Sequence, residues 1–111
     1  MKRKHSLKPD LALLKPRADD YEGELPRAND VLLIVEVSDT TLVYDRDSKL
    51  QIYARHGISE AWLVDLQAST LSIYLNPSEK GYQSLVTPMR NETIAPLLLP
   101  NLMIRLTDLW K

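Results

Sequence analysis

Apolar residues come in short blocks separated by polar, proline-bearing or glycine-bearing breaks, a rhythm that belongs to several strands with one helix among them. Residues 10–15 carry Leu11, Ala12, Leu13 and Leu14 and stop at Pro16, which predicts a short strand. Residues 31–37 form a continuous apolar run rich in Val and Ile, the signature of a central strand covered on both faces. The polar stretch 16–30 between them is long for a compact domain, and such loops are usually functional or mobile. Ser38, Asp39, Thr40 and Thr41 are helix-capping residues, so a helix is predicted over about 43–56, ended by Gly57 in a left-handed conformation. Strands are predicted at 60–65 and, from clean alternation, at 70–75; a turn at 76–81 returns the chain through 82–87. Residues 92–94 read as a short edge piece and 106–110 as a short amphipathic helix. The order strand, strand, helix, strand, strand, strand gives a mixed α/β fold with one main helix against a sheet.

Composition narrows the chemistry. With 111 residues, 44% of them apolar, the chain is expected to be a single domain, 1–111, that buries a real core. Cysteine is absent, which excludes disulfides, zinc–thiolate sites and thiol catalysis. No apolar stretch approaches the length of a membrane span. The basic start Lys2, Arg3, Lys4, His5 leads into no signal-peptide core, so residues 1–7 read as a flexible basic tail and the location as cytoplasmic. A net charge of −1 argues against a strongly basic nucleic-acid binder. It leaves room for a nuclease, in which a bound metal and a local patch supply the positive field. No Ser/His/acid set and no glycine-rich phosphate loop is present.

The carboxylates carry the remaining signal. If the first two runs pair as an antiparallel ladder, the start of one lies beside the end of the other. Asp10 and Glu36 then sit side by side at the edge of an apolar sheet. Asp45, Lys49, Tyr53 and His56 recur at helical spacing and share one face, which brings Lys49 toward the carboxylates. Ser38, two residues past Glu36, lies on the same side of its strand. Two carboxylates, a lysine and a hydroxyl suit Mg²⁺ or Mn²⁺, with water completing the shell.

Pro9-Asp10, then Val35-Glu36-Val37-Ser38, then Asp45 with Lys49, Tyr53 and Gly57, then Ala61-Trp62-Leu63-Val64-Asp65, resemble the Uma-type restriction endonuclease family of the PD-(D/E)XK nuclease superfamily. The resemblance implies a restriction-endonuclease-like core with Asp10 and Glu36 as metal ligands. It places Ser38 where the usual lysine stands, two residues after the second acid, and passes that role to Lys49 on the following helix. It also implies elements before the Pro-Asp motif, so this chain reads as an N-terminally short version of the core.

Each residue also has a structural role open to it. Asp10 can cap a turn, Asp45 and Lys49 can form a surface ion pair, and Ser38 can cap a strand end. Tyr53 is expected to pack its ring on the sheet and turn its hydroxyl to the site, and His56 to complement the helix C-terminus. Trp62 reads as core and Asp65 as a strand-end turn. The leading function is a metal-dependent endonuclease acting on nucleic acid, DNA in the first instance. The rival is an inactive nuclease-fold remnant serving as a binding or oligomerisation module. Under either, apolar surface left open predicts a homodimer.

Overall fold

The computed structural model describes residues 9–17, 26–38 and 43–110, with side chains from Asp47 onward in the helix. The predicted tail 1–7, the capping residues 39–41 and the middle of the loop 16–30 lie outside the described residues. Strands β1 (Leu11–Leu14), β2 (Val31–Ser38), β3 (Glu60–Asp65), β4 (Thr70–Ser78) and β5 (Gly81–Val86) form one sheet in sequence order. Helix α1 (Val43–Arg55) joins β2 to β3, the one parallel pair; the other neighbours run antiparallel. Parallel neighbours need a crossover, and α1 supplies it. A separate ribbon pairs β6 (Thr93–Ile94) with β7 (Ile104–Arg105).

The alternation of each strand divides the core between the two sheet faces. On the face under α1, Ile34, Leu50, Tyr53, Ile58 and Ala61 pack together. On the opposite face, Leu33, Trp62, Val64, Leu71, Ile73 and Leu106 pack together, joined by Ile94 and Ile104 from the ribbon. The burial of Leu32, Leu33 and Ile34 in β2 is the expected pattern for a central strand.

The helix ends as the sequence predicts. Gly57 takes φ +77°, its N–H bonds the Ala54 carbonyl, and the Ile58 N–H bonds the Tyr53 carbonyl. These are the two bonds of a Schellman closure, with Tyr53 and Ile58 packed in one cluster. The stop therefore also fixes Tyr53 one turn from the helix end. His56 Nδ1 lies 2.9 Å from the Ile52 carbonyl oxygen, in keeping with the expected helix-end role.

Two predicted elements differ. Strand β4 runs on through Asn76 and Pro77 to Ser78, so the turn is confined to Ser78–Gly81. Asn76 enters the left-handed region at φ 57° and donates to Ser84 Oγ across the hairpin at 2.7 Å, which keeps the ladder in register. The predicted helix at 106–110 is a 3₁₀ turn, Leu106–Asp108, entered directly from β7, where Ile104 and Arg105 pair with β6.

Candidate active site

The β1–β2 ladder pairs Leu11 with Val35, so the next step of the register sets Asp10 opposite Glu36. The antiparallel pairing predicted from sequence thus brings the two acids together at one end of the sheet. Asp10 is not a dangling carboxylate: its Oδ2 accepts the Val37 N–H at 2.7 Å, tying the start of β1 to the end of β2. Sequence inspection gives no hint of this bond, because the donor is a backbone group.

Glu36 points to the helix side and is only 7% exposed. Taking a carboxylate out of water costs several kcal/mol unless its oxygens find donors. Two donors come from α1. Tyr53 Oη donates to Oε2 at 2.5 Å, a short charge-assisted bond, and Lys49 Nζ donates to Oε1 at 3.2 Å. Lys49 and Tyr53 are four residues apart, one helical turn, so both reach the same acid. The Tyr53 hydroxyl is pushed well above the ordinary tyrosine range, first by burial, then by its bond to Glu36 and the negative charges of Glu36 and Asp10. The tyrosine is therefore a neutral donor across the physiological range, and the Asp10 charge is felt at the same spot.

Ser38 lies two positions beyond Glu36 on the same face, opposite Asp65 of β3. Asp65 is occupied with its own turn, its Oδ1 accepting the N–H groups of Gln67 and Ala68 at 3.1 Å. Asp45 sits in the first turn of α1, with its side chain outside the described residues. Glu36, Lys49 and Tyr53 are thus in direct contact, Asp10 faces them across the ladder, and Ser38 stands one step along the strand. Among the described residues no three His, Asp or Glu side chains cluster as a metal group. The Asp10–Glu36 pair nevertheless offers hard oxygen donors of the type Mg²⁺ and Mn²⁺ prefer, and for these ions water and substrate oxygens commonly fill the remaining positions.

Residues 2–107 match the family described as Uma2, putative restriction endonuclease. The chain belongs to that family. Among solved structures, this chain is similar to a putative nuclease belonging to DUF820 from Anabaena variabilis, with a TM-score of 0.60 at 16% identity. The likeness covers 78% of this chain and 46% of that one, so the chain spans less than half the length of its structural neighbour. At that identity the neighbour shows a shared fold. Comparison with curated proteins returns no match.

A second buried glutamate escaped the sequence reading. Glu60 is 2% exposed at the start of β3. Its Oε2 accepts the Trp62 indole N–H at 2.6 Å and its Oε1 accepts the Leu97 N–H at 2.8 Å. Trp62 two residues later was the available signal, since a buried indole N–H needs an acceptor.

Proposed function

We propose that this chain is a metal-dependent nuclease of the cytoplasm that hydrolyses phosphodiesters, with DNA as the substrate. The observation that carries this reading is the facing of Asp10 and Glu36 across the β1–β2 ladder with Lys49 on the buried acid. Membership of a restriction endonuclease family supports it. Asp10 and Glu36 would hold Mg²⁺ or Mn²⁺. When bound, such a cation supplies Lewis-acid activation of water and of phosphoryl oxygens. Lys49 places its ammonium where negative charge develops as the water oxygen bonds to phosphorus and the bond to the leaving sugar oxygen breaks. Tyr53 keeps Glu36 oriented throughout, and Ser38 and Asp45 are assigned supporting places at the strand end and the helix start.

Plasmid DNA incubated with Mg²⁺ or Mn²⁺ should be nicked or linearised by the wild-type chain and left intact by Asp10→Ala and Glu36→Ala. Cleavage surviving both substitutions refutes the assigned site. A rival reading, an inactive module that binds or oligomerises, draws on the apolar side chains Leu85, Met89, Leu97 and Met103, all exposed beyond β4. Exposed apolar side chains of this kind support a homodimer under either reading. Light scattering should return twice the chain mass, and a monodisperse monomer at micromolar concentration counts against it.

A further inference from the structure

The two donors on Glu36 differ in a way that matters for cation binding. Tyr53 approaches from the core; it is 4% exposed, and the Schellman closure fixes its stretch of backbone. Its bond to Oε2 is short, at 2.5 Å. Lys49 approaches from the solvent side, with 29% of its side chain exposed on a flexible four-carbon stem. Its bond to Oε1 is 3.2 Å, longer than the usual span of charge-assisted N–H···O bonds. Asp10 repeats the asymmetry, since Oδ2 is committed to the Val37 backbone. Each acid therefore has one oxygen locked by a rigid donor. On Glu36 the other oxygen carries a replaceable one, and that donor is itself a cation.

We infer that Lys49 is the resident counter-cation of Glu36 and releases Oε1 when a divalent cation binds. Lys49 keeps the buried acid paired beforehand, and its departure turns the ammonium toward the substrate phosphate. Cation binding and the delivery of Lys49 are then a single event, and Lys49 lowers the affinity of the very site it serves. This rests on the metal-site reading above.

The test needs no substrate. Mn²⁺ alone is titrated into the full chain by calorimetry, for wild type, Lys49→Met, Lys49→Arg and Glu36→Gln. Methionine keeps much of the lysine stem and removes the competing charge, so Lys49→Met should bind Mn²⁺ about tenfold tighter or more. Arginine keeps the charge and can grip the carboxylate with two donors, so Lys49→Arg should bind more weakly than wild type. Lysine Nζ resonances give a second readout: the Lys49 signal of the wild-type chain should move on adding Mg²⁺ and stay put in Glu36→Gln. Binding that depends on Glu36 but is unchanged or weakened in Lys49→Met overturns this inference and spares the metal site. No Glu36-dependent binding in either wild type or Lys49→Met overturns both.

Discussion

Glu36 and Glu60 are both buried glutamates of neighbouring parallel strands, yet their surroundings differ. Glu36 lies at the far end of β2 on the helix face, beside a second carboxylate, with a partly exposed lysine on one oxygen. Glu60 lies at the near end of β3 on the opposite face, with each oxygen taken by a neutral donor, one from a core indole and one from the backbone at Leu97. Burial alone marks neither as functional. What separates them is company: Glu36 has a neighbouring acid, a partly exposed lysine and an approach from solvent, as the proposed metal site requires, whereas the two neutral donors on Glu60 make a tie between β3 and the chain before β7.

The comparison breaks most readily by removing each acid in turn. Glu60→Ala leaves the Trp62 and Leu97 N–H groups without their acceptor and opens a void, so it should cost about 3 kcal/mol and lower the thermal midpoint by roughly 10 °C or more. Cleavage by the fraction still folded should be unchanged. Glu36→Ala should shift the loss to activity, losing cleavage by about a thousandfold while stability falls by about 1.5 kcal/mol, because the buried Tyr53 hydroxyl loses its acceptor while the desolvated charge leaves with the side chain. Calorimetric melting run beside a plasmid assay reads both quantities. Equal destabilisation by the two substitutions, or loss of activity in folded Glu60→Ala, would erase the distinction.

A finer cut comes from Tyr53→Phe, which deletes one oxygen and keeps the ring. Losing a hydrogen bond to a carboxylate should cost about 1.5 kcal/mol of stability. Cleavage should fall about tenfold in kcat with KM unaltered, since the tyrosine orients Glu36 without touching substrate. The smallest effect lies in alkali. The unfolded tyrosine ionises near pH 10, whereas folded Tyr53 and Tyr82 are both raised above that by burial and by neighbouring negative charge. The unfolded chain then binds fewer protons than the folded one, so stability should decline as pH climbs through 10. Tyr53→Phe should flatten that decline; an unchanged slope in urea titrations from pH 9 to 11 would remove Tyr53 from the account.

Much of the fold was legible because local signals agreed with one another. Pro16 stops β1, the Val- and Ile-rich run makes a central strand, and Gly57 ends the helix at φ +77° as a left-handed cap should. Helical spacing put Lys49 and Tyr53 on one face, and antiparallel pairing of the first two runs put Asp10 beside Glu36. The 3₁₀ turn at Leu106–Asp108 was not legible, since the chain enters it from Ile104 and Arg105, whose pairing partners lie about ten positions earlier.

The sequence by itself determined the five strands of the main sheet, the helix and its stop, and the meeting of two acids at a ladder end, all of which follow from periodicity and turn chemistry within short stretches. Only the tertiary structure decided which oxygen of Glu36 takes the Tyr53 hydroxyl and which the Lys49 ammonium, that Asp10 spends one oxygen on the Val37 backbone, and that Glu60 is a buried tie. These depend on donors arriving from other elements, and no local pattern in a chain records where a distant N–H or ammonium will come to rest.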